Sequence, residues 1–269
     1  MQLRVINVLY LGRLDYATGL ELQRTVVDLV KSGRIGHTLL LLEHPPVITL
    51  GRNAGTKNIV APREFLESRG VELFETDRGG DVTFHGPGQL VGYPIFDLRA
   101  FEPRIGAVDF VRKMEEALIR TCGDLGVVTA RIQGLTGVWT EADEHHSANH
   151  PAAKIAAIGI HVSRGVTSHG FALNVSTDLE YFKMIVPCGI SDKPVTSLER
   201  EMALLTPPKE MPSLEQAAEM VCRNFGRVFE AQTLWLESLD SLLAAPEDTP
   251  ARPPEELRRI AGEEDVYLA

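Results

Sequence analysis

Long apolar runs are missing from this chain. Nothing in it approaches the roughly 20 consecutive apolar residues that a membrane-spanning helix requires, so no membrane span is expected. Cysteine is scarce, with three among 269 residues, and the three are widely scattered. The opening stretch MQLRVINVLYLGRLD has neither a basic leader nor a small-residue cleavage site and reads as a strand, not a signal peptide. Together these absences exclude a disulfide framework and point to a reducing cytoplasm. Positive charge is also short. Lys and Arg total 27 against 37 Asp and Glu, a net charge of −10, which argues against sequence-independent nucleic-acid binding. Neither GxGxxG nor a Walker loop ending in GK[ST] is present, so no nucleotide-phosphate cradle is indicated. His145, His146 and His150 fall together in a polar stretch, but without tight ligand spacing or a cysteine among them. No metal and no cofactor are expected.

What is present suffices for a packed enzyme-sized domain. Hydrophobic residues make up 44% of the chain and charged ones 24%, ordinary for a globular protein. Asp15 is placed to cap a helix over about 16–32, with Leu22, Val26 and Leu29 on one face and Gly33 as its stop. A second helix begins near Gly106. Val108, Val111, Met114, Leu118, Cys122 and Leu125 recur every three or four residues and mark its core face. A third begins at Ser213, where Ser213 and Gln216 fit a capping box. Its apolar face is Leu214, Ala217, Val221, Phe225 and Val228.

Between the second and third helices the pattern turns strand-like. GLTGVWT, KIAAIGIHVSRG and SHGFALNVS are short, β-branched and punctuated by glycine. Earlier, HTLLLLEHPPVITLGRN gives two apolar runs broken by Pro45 and Pro46. Strands that cluster between separated helices indicate α+β, a mixed sheet with flanking helices. EADEHHSANHPAA, over 141–153, is a polar interruption between two strands. Residues 1–235 read as one catalytic domain. Residues 236–269 read as an acidic, Pro-rich C-terminal extension with one short helix at PPEELRRIAG and little contribution to the core.

The cysteines are not equivalent. Cys122 lies on the apolar face of the second helix, and Cys222 lies beside the stripe of the third. Both read as small buried hydrophobes. Cys188 alone sits between helix breakers, in IVPCGISDKPVTSLER, where Pro187 and Gly189 put a thiol on a turn. A nucleophilic thiol needs a cation or base beside it, because its free pKa is about 8.5. Lys154, at the start of KIAAIGIHV, and His85, in the glycine-rich stretch RGGDVTFHGPGQL, are the two candidates. The residues alone do not choose between them, and an inert loop thiol is the bland alternative.

Three segments taken together carry a resemblance. RGGDVTFHGPGQLVGYPIFDL (78–98), KIAAIGIHVSRGVTSHGFALNVSTDL (154–179) and IVPCGI (185–190) resemble the lipoyl (octanoyl) transferase family. The likeness extends more weakly over about 4–232. It implies a fold shared with the catalytic domains of biotin and lipoate protein ligases. It also implies transfer of octanoyl from acyl carrier protein to a specific lysine of lipoyl domains, those of 2-oxoacid dehydrogenase complexes and of the glycine-cleavage H protein. The implied nucleophile is Cys188, acting through a thioester, with Lys154 as its partner. The implied acyl-binding residues are Arg78, Gly79, Gly80, Asp81, Val82, Thr83, Phe84, His85, Ala157, Ile158, Gly159, Gly170, Phe171 and Ala172. The chain departs from the pattern at Ala157, where members of the family often carry serine, and in the length of the 141–153 insert. Two other readings stay open: an ATP-dependent lipoate or biotin ligase of the same fold, and a non-catalytic acyl-binding module.

Overall fold

The computed structural model describes residues 4–55, 58–141, 151–186, 194–207, 209–243 and 266–268. The expected helix starts and stops are present. Helix α1 (Tyr16–Lys31) is capped by the Asp15 carboxylate, which accepts from Thr18 N at 2.8 Å. It ends before Gly33, which takes φ 75°. Helix α3 (Ala107–Asp124) buries Val111, Met114, Leu118 and Cys122. Val108 departs from the expected face, being 59% exposed in the first turn; Phe110 is buried there instead. Helix α5 (Leu214–Phe229) carries the reciprocal capping box between Ser213 and Gln216. Helices α2 (Arg63–Ser68), α4 (Leu198–Met202) and α6 (Leu239–Leu243) are short.

Strands β1 (Arg4–Arg13), β2 (His37–Glu43), β6 (Gln89–Ile95), β7 (Thr129–Ile132), β8 (Leu135–Thr140), β9 (Lys154–Ser163), β10 (Val166–Asn174) and β11 (Ala231–Trp235) form one sheet in the order β11-β1-β2-β6-β10-β9-β8-β7. The sheet is mixed, since β1 runs parallel to both β11 and β2 while β2–β6, β6–β10, β10–β9, β9–β8 and β8–β7 are antiparallel. Alternation along β2 shows how its faces are used. Leu39 and Leu41 join the core under α3 and α5, whereas Leu40 and Leu42 join a second core with α1. Pro45 and Pro46 then move the chain out of this sheet. Strand β3 (Val47–Leu50) lies between β4 (Glu72–Glu75) and β5 (Val82–His85) in a separate three-stranded sheet. This sheet has its own core of Ile48, Val82, Phe84, Phe182 and Met184. The glycine-rich stretch RGGDVTFHGPGQL has the composition of a loop, but the chain forms β5 of this sheet there before it enters β6 of the large one.

The described parts of the C-terminal stretch touch the body of the protein, against the expectation of little contact. Leu236 N donates to Val8 O at 2.8 Å, and Leu242 is fully buried in the α1 core. Strand β12 (Val266–Leu268) pairs antiparallel with β9 through Val266↔Val162 and Leu268↔Ile160. Composition misleads here because a few apolar residues, spaced to land on one patch, outweigh a polar average. The helix expected at PPEELRRIAG lies outside the described residues, as do His145, His146 and His150. We expect Leu242→Ala to cost about 2–5 kcal/mol, the range for truncating a buried leucine, and to lower Tm without changing the rate at temperatures well below it. An unchanged Tm in a melting experiment would show that α6 does not dock.

Candidate active site

One face of the large sheet is built from unusually small residues where β9, β10 and β6 lie side by side. Ala157 pairs with Ala172, and Ala172 with Val91. The next row holds Gly159 opposite Gly170. The loop 78–81 folds over this floor. Gly79 N donates to Ile160 O at 3.0 Å, and a Cβ on Gly159 would sit 2.6 Å from Gly79 O, so only glycine lets loop and sheet meet this closely. Between floor and loop lies a cavity of about 290 Å³, at the small end of the range for small-molecule sites.

The segments named from sequence converge on this cavity. Arg78, Gly80, Asp81, Val82, Thr83 and His85 line it from the loop and β5, and Ala157, Ile158, Gly159, Gly170, Phe171 and Ala172 from β9 and β10, with Lys154 also on its wall. Gly79 and Phe84 are not on its wall. Gly79 is spent on the backbone stitch to β9. Phe84 faces the small-sheet core, its ring stacked on Tyr181 at 4.7 Å, because alternate residues of β5 point to opposite faces. Arg78 lines the cavity, but its guanidinium donates to Thr49 O at 2.7 Å, Asp81 O at 2.7 Å and Gly79 O at 3.0 Å. It holds the loop in shape.

Lys154 reaches the cavity through a β-bulge. Val138 pairs with Ala156, but Trp139 pairs with Lys154 rather than Ile155. A regular strand would put Lys154 on the same face as Ala156, in the core. The extra residue returns Lys154 to the cavity face, while Ile155 and Ala156 both remain buried. Its Nζ lies 4.7 Å from the centre of the Trp139 ring. Its backbone is pinned on the other side: Lys154 N donates to Pro194 O and Thr196 N donates to Lys154 O, both at 2.9 Å.

Cys188, with Pro187 and Gly189, lies outside the described residues. The chain on either side of it is described. Val186 N donates to Asn58 O at 2.8 Å, and Ile185 forms a bridge with Ile59. Beyond the gap, Val195 lines a small recess together with Lys154, Thr83, Gln89, Ala157 and Phe182. The other two cysteines are buried, as expected. Burial pushes the Cys122 thiol up to about 12, and it raises that of Cys222. Neither supplies a thiolate near neutral pH.

His85 has a defined tautomer. Asn174 Nδ2 donates to Thr196 O at 2.9 Å, which turns Asn174 Oδ1 toward Gln89 Nε2 at 2.9 Å. Gln89 Oε1 therefore faces His85 Nδ1 at 2.7 Å, and that nitrogen must carry the proton. Burial lowers the His85 pKa to about 3, so the ring is neutral and Nε2 holds a lone pair. A ring held neutral by burial and locked by an amide is a poor source of the charge a thiolate wants.

Two further wall residues are not marked as site residues by the sequence, although Tyr93 falls inside the 78–98 segment. Tyr16 and Tyr93 line the cavity, and His44 stands behind them, edge-on to Tyr16 with ring centres 5.0 Å apart. They come from α1, β6 and the end of β2, and only the topology brings them together. Asp77 lies just behind the wall, accepting from His161 Nδ1 at 2.8 Å and His169 Nε2 at 2.7 Å. These bonds hold its carboxyl far below the usual range.

A small-floored slot beside a lysine, roofed by a glycine-rich loop, has the form of a small-molecule site suited to a slender ligand. The family model for the lipoyl protein ligase A/B catalytic domain matches residues 15–226, and the chain belongs to that family. It is 62% identical over 264 residues to the octanoyltransferase of Koribacter versatilis, covering 98% of this chain and all of that one. It is 59% identical to the octanoyltransferase of Acidobacterium capsulatum, covering 89% and 96% of the two chains. Among solved structures, a lipoate-protein ligase A bound with ATP superposes with a TM-score of 0.62 at 15% identity, covering 90% of this chain and 93% of that one. A bi-partite lipoate protein ligase from Thermoplasma acidophilum gives 0.60 at 18% identity, covering 89% and 91%. At such identities these two likenesses establish the fold alone. Among the described residues no helix is long and apolar enough to cross a membrane.

Proposed function

We propose that this protein is an acyltransferase that moves an octanoyl or lipoyl group from acyl carrier protein to a lysine of a lipoyl domain, through a thioester on Cys188. The acceptors in this reading are the lipoyl domains of 2-oxoacid dehydrogenase complexes and the glycine-cleavage H protein. A cytoplasmic location goes with it. The observation that carries the reading is the place of Lys154 on the wall of a small-floored cavity of about 290 Å³, joined with relatives named octanoyltransferase over almost the full length.

Both ends of the segment that holds Cys188 are tied to this site. Cys188 follows Val186 by two peptide units, and Pro194, six residues after it, accepts from Lys154 N. In the first half-reaction the Cys188 thiolate, favoured by the Lys154 ammonium, attacks the carbonyl of the octanoyl thioester. The tetrahedral intermediate expels the carrier's sulfur, which takes a proton from Lys154. In the second, the lysine amine of the lipoyl domain attacks the acyl-cysteine. Neutral Lys154 accepts the amine's proton, and Cys188 leaves as a thiolate. The sum is thioester plus amine giving amide plus thiol, with the dyad restored. The acyl chain contributes affinity. Burying seven carbons beyond the carbonyl is worth roughly 5 kcal/mol at about 0.8 per CH₂.

A thioester is already activated, so this route needs no nucleotide. We expect octanoyl transfer from carrier protein to a lipoyl domain in buffer with chelator and without ATP, read as a mass shift of the lipoyl domain. With free octanoate we expect no product, whether or not ATP and magnesium are added. Product formed only from free acid with ATP would overturn the transferase reading in favour of the ligase.

A further inference from the structure

The cavity has a direction. Lys154 lines it from β9, and Gly134, Leu135 and Thr136 line it from the neighbouring β7–β8 turn and β8, of which Gly134 is exposed. Tyr93, 4% exposed, stands two strands away on β6 and on the far side of the Ala157–Ala172–Val91 row from Lys154, with Tyr16, 2% exposed, also on the wall. We propose that Tyr93, locked in place by His44 against α1, is the stop that sets the length of acyl chain the slot accepts. This inference rests on the transferase reading above.

The lock follows from hydrogen-bond chemistry. His44 Nδ1 lies 2.6 Å from Leu14 O. A carbonyl only accepts, so Nδ1 carries the proton. Burial pushes the ring's pKa down to about 4, so it is neutral near pH 7 and Nε2 accepts. Nε2 lies 2.7 Å from the Tyr93 hydroxyl, which is therefore the donor. The imidazole in turn packs against α1, where a Cβ on Gly19 would lie 2.9 Å from its Cε1. Tyr93 is thus held through His44 to the chain just before α1 and to α1 itself. Tyr16 is also on the wall, its ring parallel to His85 with centres 6.1 Å apart. A wall made of packed rings does not yield to an extra methylene at low cost.

The register gives the order along the slot. Ala157, Ala172 and Val91 form one row across β9, β10 and β6, and Tyr93 stands one row further, level with Gly159 and Gly170. A chain entering beside Lys154 crosses the Ala157–Ala172–Val91 row before it reaches Tyr93. Two more carbons lengthen such a chain by roughly 2.5 Å.

The test is relative kcat/KM for transfer of octanoyl, decanoyl and dodecanoyl groups from carrier protein, in wild type, Tyr93→Ala and Tyr93→Phe. Wild type should favour octanoyl. Tyr93→Ala should raise the decanoyl-to-octanoyl ratio about tenfold, the value of two buried methylenes. Tyr93→Phe keeps the ring but loses the bond to His44, so it should raise the ratio less than Tyr93→Ala does, and a ratio unchanged from wild type would show that the His44 bond is not part of the stop. Tyr93→Leu, which leaves an apolar side chain in the core, should shift the ratio in the same direction and serves if the alanine variant does not fold. A merely structural role would lower all three rates together. Octanoyl transfer by a folded Tyr93→Ala or Tyr93→Leu protein with an unchanged ratio overturns the stop alone. Failure of wild type to transfer any of the three chains overturns the transferase reading, and the stop with it.

Discussion

Replacing Cys188 by alanine should reduce octanoyl transfer by at least about 10⁴-fold, the scale on which removal of an enzymatic nucleophile acts. The same change at Cys122 or Cys222 should leave kcat within a few-fold of wild type and act on stability instead. Cys122 is on the core face of α3 and Cys222 on that of α5, and burial raises both thiols, so neither can substitute. Steady-state transfer by the three variants, each checked for folding by its melting curve, measures the contrast. Full turnover by Cys188→Ala would move the nucleophile elsewhere or remove covalent catalysis altogether.

The second large effect belongs to Lys154, which is asked to do two jobs. Arginine keeps the positive charge but does not give up its proton near neutral pH. Lys154→Arg should therefore retain much of the thiolate and lose transfer to the amine by about 10²–10⁴-fold, the contribution of a general acid–base. Lys154→Ala should lose the rate and also raise the pH at which Cys188 is alkylated, because a thiolate without its cation is harder to form. The sign is that of a depressed thiol pKa returning upward: reactivity in the variant appears only at higher pH. The alkylation rate as a function of pH separates the two roles. A profile unchanged in Lys154→Ala would mean that the lysine does not tune the thiol. His85 would not be an obvious replacement, since its ring is neutral and its Nδ1 proton is committed to Gln89.

Much of this site could be read in the sequence, and the misses have physical causes. Helix caps are local, so Asp15 and Ser213 announced α1 and α5 correctly. The alternation and glycines of KIAAIGIHVSRG and SHGFALNVS gave β9 and β10. The floor they form depends on register, and the match of Ala157 to Ala172 to Val91 cannot be read from any one strand. Lys154 read as a strand-edge lysine because a bulge leaves no mark in sequence. Only the pairing of Trp139 with Lys154 reveals why it turns to the cavity rather than following Ala156 into the core. Pro45 and Pro46 marked a break, but not that the chain changes sheets there. Tyr16 and His44 belong to no motif, and Tyr93, though inside the 78–98 segment, is not marked there as a site residue, so only the topology brings the three together.

The central claim is that the acyl group rests covalently on Cys188 between donor and acceptor, and one measurement meets it directly. The protein is incubated with octanoyl carrier protein and no acceptor, and its intact mass and peptide map are recorded before and after a lipoyl domain is added. The account predicts an octanoyl adduct on the peptide containing Cys188, absent from Lys154 and the other cysteines, that disappears as the lipoyl domain gains the same mass. No adduct under conditions where transfer proceeds, or an adduct on Cys188 that the lipoyl domain does not discharge, would contradict it.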